Sequence, residues 1–246
     1  MGGLGVLIQS ATIKNFRLLA DVKLALEAKT TLVVGRNNSG KTSLSEVMRR
    51  FLKEGTPRFQ LEDFSSSCFD QFGAALLAFH ANDEEETIRQ KLPHIELRLV
   101  CGYDPNPLDL GSLAPFIIDL DPNSSTAVVI LRYELEDGGI KKFFADTAKP
   151  PLSDQARMSF FKQMRERIQK QFTTNIWAED PNDATNRREI PVAALRNLVK
   201  TGFINAQRGL DDVTTRESDI LATILEGGRP ELSPRGRRWR RQARLR

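Results

Sequence analysis

Apolar and polar positions first fall into a β rhythm. Val22, Leu24 and Leu26 alternate with Asp21, Lys23 and Ala25, the period of a half-buried strand. Residues 6–16 alternate more loosely and read as a second strand, joined to 21–26 by a tight turn. Thr31–Val34 is a short apolar, β-branched run, which predicts a third, buried strand. After a glycine-containing loop, Leu44, Val47, Met48 and Phe51 recur at i, i+3, i+4 and i+7, the apolar stripe of a helix. A polar, aromatic stretch, Phe59–Phe64, and a serine cluster lead to a helix over 69–80 and an acidic, polar connection over 83–92.

From His94 to Tyr103, Ile95, Leu97, Leu99 and Cys101 take one face and Glu96 and Arg98 the other, so this is another half-buried strand. Loop residues follow at Asp104–Pro107, then a strand over 127–135. Asp137-Gly138-Gly139 reads as a hairpin turn into a strand over 140–144. The middle of the chain is thus antiparallel sheet. Lys149–Ser153 is a break, and Ser153 can cap a helix. That helix has Phe161, Met164, Ile168 and Phe172 on its apolar stripe, with Arg157, Lys162, Arg165, Arg167 and Lys170 making it basic. A solvated face is the plain reading of those charges, and contact with a DNA backbone is the alternative. A helix over 189–201 stopped by Gly202, a strand over 203–208 and a helix over 218–226 stopped by Gly227-Gly228 complete the pattern.

Periodicity fails from Arg229 onward. Residues 229–246 hold eight Arg and one Glu, a net +7, so the other 228 residues carry −3 of the chain's +4. The basic balance therefore belongs to the tail and says nothing of the folded body. The tail reads as disordered, and its abrupt composition as the mark of a shifted reading frame or premature gene end. The expected division is a lobe over 1–228 and a tail over 229–246. Composition is otherwise ordinary, with 40% hydrophobic and 28% charged residues. No apolar run approaches the roughly 18 residues of a membrane span. The start has no signal-peptide pattern, and Val6 stands where a myristoylation motif needs Ser or Thr. Cys68 and Cys101 are the only cysteines and His80 and His94 the only histidines. A disulfide framework and a His-rich metal site are thereby excluded, and a cytoplasmic setting is expected.

The chemistry lies in the loop between the third strand and first helix. Gly35-Arg36-Asn37-Asn38-Ser39-Gly40-Lys41-Thr42 fits G-x-x-x-x-G-K-[ST], in the strand–loop–helix context that phosphate binding needs. The glycines permit turns closed to other residues, so that N–H groups from about Asn38 to Thr42 form an anion nest reinforced by the helix N-terminus. Lys41 can reach the β- and γ-phosphates of ATP, and the Thr42 hydroxyl can ligate Mg²⁺. Ser43 completes the candidate set.

Several stretches then converge on a family. Ile13-Lys-Asn-Phe-Arg17, a second strand and Leu32–Leu44 resemble the start of the SMC/RecF/OLD group of ABC-type ATPases, and Arg36-Asn37-Asn38-Ser39 looks most like OLD-family and related anti-phage ATPases. Phe59–Phe64, with Asp63-Phe64, is similar to a segment those proteins carry after the first helix. Ile204–Asp212 resembles their Q-loop. The resemblance covers roughly residues 6–226. It implies an α/β fold, the N-terminal lobe of an ABC-type P-loop NTPase head, with a mixed sheet around the P-loop and an antiparallel β subdomain. It also implies ATP-driven pairing of two heads in DNA repair, DNA processing or phage defence. In that picture Gln207 senses Mg²⁺ or the attacking water.

The chain departs from the family in its catalytic half. Phe116–Asp121 is the nearest approach to a Walker B strand, but it lacks the Glu and precedes Gln207. Leu225-Glu-Gly-Gly-Arg229 only echoes the ABC signature, since Glu226 would repel a γ-phosphate and Pro230 removes an N–H. The expectation is a lobe that binds Mg-ATP but is incomplete for hydrolysis alone, pairing with a second copy or with a partner that supplies the C-terminal lobe. Two other readings stay open. One is a self-sufficient P-loop kinase or NTPase of another class, although the Asn-Lys-x-Asp motif of GTPases is absent. The other is a non-enzymatic nucleic-acid-binding protein using the Arg-rich tail.

Overall fold

A computed structural model describes residues 7–103, 110–118, 124–150 and 153–202. Its frame is a six-stranded sheet in the order β2-β1-β3-β4-β5-β6. The strands are β1 (Leu7–Phe16), β2 (Leu19–Ala25), β3 (Ile95–Gly102), β4 (Thr126–Leu135), β5 (Phe172–Glu179) and β6 (Arg187–Glu189). Every ladder among the described residues is antiparallel.

Period-two alternation sorts this sheet into two unlike faces. Ile13, Leu97, Leu131 and Ile176 lie in one register row, with Ala11, Leu99, Val129 and Ala178 in another, and all are buried in the core. The opposite face carries the row Lys14, Glu96, Arg132 and Asn175. Glu96 is buried there at 2% exposure. Arg132 Nε and Nη2 donate to its Oε2 at 2.9 and 2.6 Å. Burial pushes the Glu96 carboxyl up, but His94 and the Arg132 guanidinium hold it down at about 2. A strand read as half-solvated is thus covered on both sides, because paired charges can be buried where lone ones cannot.

Helices cover the apolar face. They are α1 (Lys41–Arg49), continued by a π turn (Arg50–Glu54), α2 (Cys68–Ala81), α3 (Glu85–Lys91), α4 (Ile140–Phe143), α5 (Asp154–Gln171) and α6 (Val192–Leu198). Val47 and Phe51 are buried as the stripe requires. Ser153 caps α5 by accepting from the Ala156 N–H at 3.3 Å. Aromatic rings join helices to sheet through Phe51–Phe59, Phe16–Phe59, Phe59–Tyr133 and Tyr133–Phe172, with centroids 5.1 to 5.6 Å apart.

Several elements differ from the periodicity reading. Residues 85–91 are helical, because Glu85 and Glu86 suit the helix N-terminus, Arg89 and Lys91 its C-terminus, and Ile88 gives one buried anchor. Asp137–Gly139 is a turn, but it opens the short helix α4, whose Ile140 and Phe143 turn inward together. Apolar residues at i and i+3 share one side of a helical turn, whereas a strand would put them on opposite faces. β5 and β6 were not legible in the sequence pattern. The expected helix over 189–201 shrinks to Val192–Leu198, since Pro191 restricts Ile190 to extended geometry and β6 occupies Arg187–Glu189. Residues 31–34 form no strand. Leu32, Val33 and Val34 are 82%, 42% and 78% exposed. No neighbouring strand among the described residues offers a ladder, and an unpaired run does not become sheet.

Candidate nucleotide-binding site

The loop lies between this exposed run and α1. Gly40 is the helix N-cap with φ 89°, and Asn38 also has positive φ at 63°. Glycine is required at 40 for this left-handed geometry. Close approach adds a second reason, since a Cβ there would lie 3.0 Å from Leu19 Cδ2. At Gly35 a Cβ would meet Ser39 Oγ at 2.6 Å, a contact that the serine side chain can relieve by turning. The Ser39 N–H donates to Arg36 O at 3.3 Å and Leu44 N–H to Gly40 O at 2.8 Å. The chain therefore curls between Arg36 and Ser39 and enters the helix directly.

Lys41 folds back over this curl. Its Nζ donates to Gly35 O at 2.5 Å, Arg36 O at 2.6 Å and Ser39 Oγ at 3.4 Å. The ammonium thus faces oxygen acceptors, the partners that phosphate oxygens would supply. The first turn of α1 carries no acidic residue, so nothing there opposes an anion at the positive helix end. Thr42 is exposed and Ser43 buried. The nine residues Gly35, Arg36, Asn37, Asn38, Ser39, Gly40, Lys41, Thr42 and Ser43 make up the candidate cradle, exposed over Gly35–Ser39 and at Thr42 and buried at Gly40 and Ser43. Their chemistry fits a polyphosphate, with Lys41 as its cation and Thr42 as the hydroxyl able to reach Mg²⁺. Gln207, Asp119 and Asp121 lie outside the described residues.

A feature that sequence reasoning missed sits behind the cradle. The two-residue turn Arg17-Leu18 between β1 and β2 packs over Gly40 through Leu19. Asp63, 5% exposed, accepts from Arg17 Nε and Nη2 at 3.0 and 2.7 Å on Oδ1. Its Oδ2 accepts from Arg50 Nη1 at 2.8 Å and the Gln60 N–H at 3.1 Å. The sequence offered little signal, since Glu62 and Asp63 stand side by side between Leu61 and Phe64 and only the fold buries Asp63, where a carboxylate demands cations. Glu46 belongs to the same side of α1, and hydrogen bonds from Arg49 and then Arg50 hold its carboxyl down at about 2.

Residues 7–223 match the model of the AAA ATPase domain family. The chain belongs to this family. Its α/β architecture, a sheet with helices packed on one face, is that of a P-loop NTPase. Similarity extends to the endonuclease GajA of Bacillus cereus (strain HuB5-5), with 26% identity over 125 residues, 49% of this chain and 18% of that protein. The matched region is thus less than a fifth of the relative's length. Both findings agree with the resemblance to OLD-type ATPases. Among the described residues, no helix is long and apolar enough to cross a membrane.

Proposed function

We propose that this chain is the Mg-ATP-binding lobe of an OLD/SMC-like ATPase, working in DNA processing or phage defence. The observation that carries the reading is Lys41, held by loop oxygens at the head of a helix whose N-cap glycine has left-handed geometry. ATP exchanges the Gly35 and Arg36 carbonyls for β- and γ-phosphate oxygens on the same ammonium. Thr42 meets Mg²⁺, and residues 35–43 wrap the phosphates. Gln207, by the family resemblance, would sense Mg²⁺ or the attacking water. The exposed Leu32–Val34 run supports a second element of the proposal. A C-terminal lobe, from a partner or from more of the same protein, covers that run and brings the Walker B and signature residues. DNA is the substrate class that the family resemblance implies, and a relative named an endonuclease is in keeping with a nucleic acid.

Isothermal titration with Mg-ATP tests the cradle. Lys41→Ala removes a charge-assisted contact of about 1.5–3 kcal/mol, so affinity should fall by roughly 10- to 100-fold. The fold should be unchanged, because Lys41 is not part of the core. Equal affinities would overturn the assignment.

A further inference from the structure

We propose that Asp63 is a positioning residue for the phosphate loop, clamping the β1–β2 turn and the far end of α1 so that Leu19 stays seated on Gly40. This rests on the nucleotide reading above. Asp63 never touches the ligand in this account and acts through two arms.

The first arm is Arg17. Both Nε and Nη2 bind Asp63 Oδ1, and the Arg17 backbone N–H donates to Asp63 O at 2.8 Å. Arg17 sits at φ 50°, a conformation that a non-glycine residue keeps only when its surroundings hold it there. Its neighbours are pinned by the same segment: Phe16 bridges to Phe64, and the Ser65 N–H donates to Asn15 O at 3.0 Å. Residues 63–65 therefore brace the turn from one side, while the β1–β2 ladder holds its strands. Leu19 closes the turn opposite Phe16 and contacts Gly40.

The second arm is Arg50, in the π turn that continues α1. It binds Asp63 Oδ2 at 2.8 Å and Glu46 Oε1 at 2.7 Å. Arg50 lies nine residues beyond Lys41, about 13 Å along a helix axis, too far to touch phosphate. One buried carboxylate thus fixes both bodies that meet at Gly40. Losing it lets the turn and the helix move independently, and the left-handed N-cap that aims the loop N–H groups is no longer held against Leu19.

The test is titration of Mg-ATP into the full chain and its variants. Asp63→Asn should weaken binding about tenfold. Arg50→Gln should weaken it in the same direction, and serves if Asp63→Asn does not fold. Leu19→Ala should also weaken it, and the double variant with Asp63→Asn should be no worse than the poorer single, because both break one path. A merely structural loss would not show that non-additivity. Ser153→Ala, which removes a helix cap remote in the chain, should lower the melting temperature without moving the affinity. The clamp is overturned if Lys41→Ala weakens binding about tenfold or more while folded Asp63→Asn and Arg50→Gln stay within about twofold of wild type, or if Asp63→Asn and Leu19→Ala prove additive. If Lys41→Ala binds like wild type, the nucleotide reading fails and the clamp with it.

Discussion

Arg132→Met tests the charged face of the sheet. Glu96 is 2% exposed and takes two hydrogen bonds from Arg132 on one oxygen, at 2.9 and 2.6 Å. Its other basic neighbours are more distant, with Lys14 Nζ at 3.9 Å and His94 Nε2 at 3.6 Å. A carboxyl held at about 2 instead of 4.5 corresponds to about 3 kcal/mol of stability. The sign follows from the lowered value. The contribution is complete above the unfolded carboxyl's range near pH 4.5 and is lost as pH falls towards 2. Removing the guanidinium leaves a buried carboxylate short of partners, at a cost of about 3–5 kcal/mol near neutrality. An exposed pair would cost only about 0–1 kcal/mol. Without Arg132, burial pushes the Glu96 carboxyl up, so the variant's deficit should shrink as acid protonates it. Urea unfolding at several pH values between 3 and 7.5 measures this. Adding Glu96→Leu should recover much of the loss, because no buried charge then remains. A deficit below about 1 kcal/mol that does not vary with pH would refute the reasoning.

Two further outcomes are expected. Tyr133→Phe should cost about 1–2 kcal/mol in urea unfolding, because the buried hydroxyl serves Phe59 O at 3.1 Å and Ile168 O at 3.0 Å, and burial keeps that phenol un-ionised by pushing it up to about 12. The purified chain should release phosphate from ATP at or near background, since the Walker B Glu that the family resemblance calls for is not recognisable in the sequence, and a C-terminal lobe added in trans should restore turnover. Turnover well above background that vanishes in Lys41→Ala would mean a complete active site in this chain, with Asp119, Asp121 and Gln207 the first residues to test.

Local physics alone made much of this protein legible. Alternation placed Ile95, Leu97, Leu99 and Cys101 on the buried face of β3, and a 3.6-residue stripe placed Val47 and Phe51 under the sheet. Ser153 announced the start of α5. The Gly35–Thr42 spacing marked a loop that ends in left-handed Gly40 with Lys41 at the head of α1, because glycine's conformational freedom is a property of the residue itself. Other features depended on what the chain met in space. Ile140 and Phe143, three residues apart, share one side of a helical turn but would take opposite faces of a strand, and the fold buries both in α4. Thr31–Val34 is β-branched enough to be a strand, but a strand exists only with a partner to complete its hydrogen bonds, and none lies beside it among the described residues. Asp63 carries no periodic signal of its own. Its role became visible only when the fold brought Arg17, Arg50 and the Gln60 N–H to one carboxylate, since sequence shows which residues can pair but only packing shows which of them meet.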